Sequence, residues 1–79
     1  MLSDYIHAAL ARASYEKLDD GTYYGEIPQI QGVWANEPEL EACRAELQSA
    51  LEDWLLFSLS NGFPVPALDG IELTAARVG

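Results

Sequence analysis

Basic residues are scarce in this chain: four Lys and Arg stand against 13 Asp and Glu, a formal net charge of -9 at pH 7. Arg12, Lys17, Arg44 and Arg77 are scattered singly, whereas phosphate backbones are held by clustered basic side chains. That spacing argues against direct nucleic-acid binding, and the same charge opposes anionic membrane surfaces. Cysteine is limited to Cys43, so neither an intrachain disulfide nor a cysteine-pair metal site can form. The single histidine, His7, has no assignable nucleophile or orienting acid beside it and reads as a helix-surface residue. Glycine-rich phosphate loops and metal-ligand spacings are missing as well. Asp19 and Asp20 follow Glu16 closely, yet the loop pattern that binds hard cations is absent, so neither a metal nor a cofactor nor an enzyme is expected. No apolar run approaches the roughly 20 residues that span a bilayer, and the N-terminus lacks signal-peptide features, which sets a cytoplasmic expectation.

What the chain does have is apolar content: 49% hydrophobic and 22% charged residues, the composition of a globular fold rather than a disordered one. Its 79 residues make one domain, 1–79, near the lower limit for a self-sufficient core. A homodimer or higher homo-oligomer that completes the core is therefore expected. The acidic surface serves either solubility or the steering of a basic protein partner.

Hydrophobic periodicity gives the elements. Ser3 is placed to cap a short helix over residues 4–9 or 4–10. Residues 10–18 then alternate with period two, Ala11, Ala13 and Tyr15 against Arg12, Ser14 and Glu16, which reads as a strand. A second strand over 22–28 alternates likewise and ends at Pro28, which has no N–H to donate to a ladder. Between them lies Asp19-Asp20-Gly21. A two-residue turn would set Tyr15 opposite Glu26 and mix the faces, whereas a three-residue loop with Gly21 left-handed sets Tyr15 opposite Gly25 and Ala13 opposite Ile27. The three-residue loop is the expectation, with Glu16 opposite Tyr24 and Ser14 opposite Glu26 on the outer face.

A short third strand is expected over 30–35, followed by a helix start with Asn36 as N-cap, Pro38 in the first turn and Glu39 completing a capping box. Leu40, Cys43, Leu47, Ala50, Leu51, Trp54, Leu55 and Phe57 or Ser58 form the apolar stripe of a long helix that Asn61-Gly62 ends. Cys43 and Trp54 read as core. Beyond the stiff Phe63-Pro64-Val65-Pro66 stretch, residues 71–78 read as a final strand. The fold class is α+β: a small antiparallel sheet, in the order helix, three-strand meander, long helix, final strand, with helices packed on one face. An exposed edge, either the last strand or 30–35, invites pairing across a two-fold axis.

With catalysis set aside, aromatic and acidic surface remains. Tyr24 and Glu26 share the outer sheet face, and Trp34 lies on a neighbouring strand, where it either fills the core or anchors an interface.

The stretch from Tyr15 to Pro66 resembles the HicB-type antitoxins of prokaryotic toxin-antitoxin systems. The resemblance is carried by Tyr15-Glu16, Asp20-Gly21-Thr22-Tyr23-Tyr24, Glu26-Ile27-Pro28, Ile30, Gly32-Val33-Trp34-Ala35, Leu40-Glu41, Ala50-Leu51-Glu52-Asp53-Trp54-Leu55, Gly62 and Pro64-Val65-Pro66. It implies a partly built ribonuclease-H-like or ferredoxin-like sheet without nuclease chemistry. Such a domain covers the active surface of a small basic HicA-type toxin, an mRNA-cleaving ribonuclease. On this reading Asp19, Asp20, Tyr24 and Glu26, with Trp34, face the partner. The competing reading is an orphan oligomeric interaction or small-ligand-binding module without a toxin. Many members carry a C-terminal DNA-binding module; this sequence ends at Gly79, so operator binding by this chain alone is not expected.

Overall fold

The computed structural model describes residues 2–68, 70 and 71. Its elements run α1 (Leu2–Ala11), β1 (Ser14–Lys17), β2 (Tyr23–Ile27), β3 (Ile30–Glu37) and α2 (Leu40–Ser60). This is the expected α+β order, with a three-stranded antiparallel sheet in the order β1-β2-β3. Helix α2 lies across β3 and β2, and α1 packs on α2.

The first hairpin has the expected register: Tyr15 pairs with Gly25, Glu16 with Tyr24 and Ser14 with Glu26. Leu18 N donates to Thr22 O at 2.8 Å, which closes a loop of Asp19, Asp20 and Gly21, and Gly21 takes φ 87. That left-handed conformation is costly for a side chain with a Cβ and free for glycine. Pairing ends at Ser14, so the expected Ala13 to Ile27 pair is not made.

Several boundaries move: β1 is shorter than the expected 10–18 and β2 than the expected 22–28. Residues 10 and 11 belong to α1, because alanine favours helix over strand where its neighbours leave the choice open. The helix closes through Arg12 N to Ala9 O and Ala13 N to Leu10 O, both 3.1 Å. Ser3 lies inside α1 rather than capping it; the first four N–H groups of a helix have no intrahelical acceptor, so serine is tolerated there. Asn36 continues β3 opposite Tyr24, and the N-cap position falls to Glu39, extended at φ -125 and ψ 148, with no side-chain capping bond. Strand β3 is therefore two residues longer than expected. The final strand expected over 71–78 lies outside the described residues except for Ile71, whose N–H and carbonyl bridge Leu68.

The core joins one stripe of α2, Cys43, Leu47, Leu51, Leu55 and Ser58, to Tyr5 and Ala9 of α1 and to Ile27, Ile30, Val33 and Ala35 of the sheet. Cys43 is buried as expected, and Trp54 packs partly buried against the cluster. Where the stripe allowed Phe57 or Ser58, Ser58 is the buried one. The helix ends as expected at Asn61 and Gly62. Phe63 N donates to Ser58 O at 2.8 Å and Gly62 N to Leu59 O at 3.4 Å, with Gly62 at φ 70. This is the paired-bond C-terminal motif that requires a left-handed residue after the cap, and the contact between Phe57 and Phe63 that accompanies it is made here. Tyr5 then donates its hydroxyl to the Pro66 carbonyl, which ties the exit segment back to α1.

Candidate functional site

The outer face of the sheet, turned away from the helices, brings together three of the expected partner-binding residues, Tyr24, Glu26 and Trp34, whereas Asp19 and Asp20 lie off it in the β1–β2 turn. Tyr24 and Trp34 stack with ring centroids 6.2 Å apart and planes 23° from parallel. Glu26 is the register partner of Trp34, and Glu16 that of Tyr24. The Tyr24 hydroxyl reaches Glu26 Oε1 at 3.5 Å. Loss of hydration and the Glu26 charge push the Tyr24 phenol upward, so it remains a neutral donor at physiological pH. Trp34 is 56% exposed, which decides against the core reading and leaves a large aromatic plane in solvent.

A break in strand phase turns Trp34 outward. The ladder pairs Glu26 with Trp34 but Ile27 with Ile30, so the register shifts between Glu26 and Ile27. Residues 31–33 form a bulge with Gly32 at φ 92, a conformation that suits glycine. The bulge also opens a shallow pocket of about 400 Å³ bordered by Tyr24, Glu26, Pro28, Gln31, Gly32 and Trp34. A glycine inside a strand pattern is the sequence signal for such a feature.

At the far end of the first hairpin, Asp19 and Asp20 are exposed as expected. Asp20 is engaged within the chain, because its Oδ1 accepts from Thr22 N at 2.9 Å and from Thr22 Oγ1 at 2.6 Å. Asn36 Nδ2 donates in turn to Thr22 Oγ1 at 2.9 Å and to the Tyr23 carbonyl at 2.8 Å. The turn is thus tied to β3 through Asn36, a role that the helix-cap reading missed. Thr22, donating to Asp20 from hydroxyl and backbone, holds the Asp20 carboxyl below its ordinary range. The sign follows: this network adds stability fully present above the ordinary carboxylate pKa and lost as pH falls through the lowered one. Asn36→Ala is expected to cost about 1 kcal/mol, the net worth of typical hydrogen bonds, measured as a lower urea midpoint at unchanged slope. An unchanged midpoint would mean that the Asn36 bonds add nothing to the tie.

Among the described residues, no group of three or more His, Cys, Asp or Glu is placed to hold a metal. No helix among them is long and apolar enough to cross a membrane. His7 lies exposed on α1.

Comparison with known proteins gives two findings. A family model described as UPF0150-like matches residues 4–66, a span that contains the whole sheet and α2. The chain is also similar to the crystal structure of TTHA0281 from Thermus thermophilus, with 51% identity over 91% of this chain and 90% of that one and a TM-score of 0.86. A search of curated proteins gives no match.

Proposed function

The chain belongs to the UPF0150-like family, and we propose that it acts as an antitoxin-like inhibitor that binds a small basic protein through the outer face of its sheet. The partner fits the HicA-type mRNA-cleaving toxins implied by the sequence resemblance, and inhibition is steric and electrostatic: the sheet face covers the partner's RNA-binding surface. One observation carries this reading, the stack of exposed Trp34 on half-buried Tyr24, bordered by Glu16 and Glu26. Exposed Trp and Tyr anchor interfaces because they contribute large contact area with little side-chain freedom to lose. Acidic side chains around such an anchor favour a basic partner and speed its arrival.

Co-purification with the product of the adjacent reading frame, followed by an RNA-cleavage assay of that product with and without the chain, tests the proposal. A stable complex that suppresses cleavage is the expected result; a cleaving partner that ignores the chain would overturn it.

The turn has a separable part. Replacing both turn aspartates by asparagine, Asp19→Asn with Asp20→Asn, removes two charges, while the amide at the second position keeps an acceptor oxygen for Thr22. Association with the partner is expected to slow several-fold at low salt, with the difference vanishing at high salt as screening removes steering. An unchanged low-salt on-rate places the turn outside the steering field.

A further inference from the structure

The outer sheet face leaves a carboxylate and an aromatic plane open to solvent side by side. Trp34 is exposed, and exposed Glu26 stands opposite it on β2 as its register partner. The Tyr24 hydroxyl reaches only Glu26 Oε1, at 3.5 Å, which leaves most of a carboxylate's roughly four acceptor sites open. The surrounding chain supplies no counter-charge. Residues 18–43 hold six acidic side chains, Asp19, Asp20, Glu26, Glu37, Glu39 and Glu41, and no Lys or Arg. Of the basic groups that flank this stretch, Lys17 lies over the Tyr23 ring, 5.8 Å from its centroid, and Arg44 over the Tyr15 ring at 5.3 Å. Both cations are already seated on tyrosines.

The hollow of about 400 Å³ that the bulge opens is bordered by both Glu26 and Trp34. A site this shallow does not enclose a small molecule as ligand pockets do, but it admits a side chain presented on another protein's surface. Its chemistry selects a flat cation. A guanidinium stacks on an indole plane, carries forked N–H donors that match a carboxylate, and is less strongly hydrated than an ammonium. A lysine ammonium gains the charge attraction but neither the stack nor the paired donors.

We infer that the hollow between Glu26 and Trp34 receives an arginine side chain of the protein that binds this face, its guanidinium stacked on the indole and donating to the Glu26 carboxylate. This deepens the function proposed above and rests on it for the partner's identity; the preference for arginine is tested without any partner. Isotope-labelled full chain is titrated with Nα-acetyl-arginine N-methylamide to about 50 mM at constant ionic strength, with the indole N–H resonances of Trp34 and Trp54 as readout, assigned by Trp34→Phe. The Trp34 signal should shift saturably with a dissociation constant of about 10 mM. That of Trp54, partly buried against the core, should stay in place. The lysine analogue should bind at least about five-fold more weakly, and Glu26→Gln should weaken arginine binding by about five-fold or more. The lysine comparison needs no variant, so it decides the matter even if Glu26→Gln loses its fold. A Trp34 signal unmoved at about 50 mM, equal affinity for the two analogues, or a folded Glu26→Gln that binds like the wild type would overturn the inference, whatever becomes of the antitoxin proposal. Selective arginine binding by a chain that inhibits no toxin would uphold the site and overturn only the partner's identity.

Discussion

Trp34→Ala is expected to weaken partner binding by about 100-fold or more while leaving the fold nearly as stable as before. The asymmetry follows from where the side chain lies. At 56% exposure the indole contributes little to the core, and its loss removes chiefly the stack on Tyr24, on the order of 1 kcal/mol. In an interface the same plane is fully desolvated, and truncating a central Trp typically costs about 2–4 kcal/mol of binding energy. Titration calorimetry against the purified basic partner, with urea unfolding of the free chain alongside, separates the two quantities. Tyr24→Ala should lose less affinity, since Tyr24 supports Trp34 from a half-buried position. A Trp34→Ala chain that binds with wild-type affinity would sink the sheet-face reading, even if the complex itself proved real.

The largest expected loss of stability comes from Gly25→Val. A Cβ at Gly25 would lie 2.8 Å from Tyr15 Cε1, 2.9 Å from Tyr15 Cδ1 and 3.2 Å from Cys43 Sγ. Tyr15 is the cross-strand partner of Gly25 and lays its ring over the bare backbone. Behind it, Cys43 fills the space between α2 and the sheet. Valine has to displace both, and overpacking of this kind costs about 3 kcal/mol, a large share of the stability of so small a domain. A double-mutant cycle assigns the cause: with Tyr15 replaced by Ser, the cost of Gly25→Ala should fall to less than about half its value in the wild-type background. An undiminished cost would show that the ring is not what Gly25 makes room for.

The parts of this structure legible in the sequence are those fixed by local rules acting together. Gly21 and the alternation on either side of it allowed only one hairpin register that kept each face uniform. The stripe from Cys43 to Leu55 and the Asn61-Gly62 stop defined α2. Where two rules competed, the sequence was ambiguous. Residues 10 and 11, in an alanine-rich run, satisfy a helix and a half-buried strand equally, and the helix won. Asn36 has the chemistry of an N-cap, but the Tyr23 carbonyl on the adjacent strand and the Thr22 hydroxyl in the turn before it offer its amide a better site.

Trp34 shows why a candidate site is harder to read than a fold. Counted in steps of two from buried Ile30, it belongs inside. The insertion around Gly32 reverses the phase, so Val33 and Ala35 point in and Trp34 points out. Alternation places residues on faces only until a bulge intervenes, and the number of residues a bulge takes up is set by three-dimensional packing. The apolar end of α2 was hidden for a different reason: Phe57 and Ser58 differ by one helical step, and only the crossing of α2 over the sheet decides which faces inward.

Cys43 gives the molecule a built-in clock. Its thiol is fully buried, 3.6 Å from the carbonyls of Tyr23 and Ala35, and burial pushes its pKa up, so in the closed state the sulfur is both inaccessible and protonated. A thiol reagent can reach it only in the moments when α2 lifts from the sheet. At reagent concentrations where labelling outpaces reclosing, the rate therefore counts those openings directly, at a single natural atom placed between the two layers.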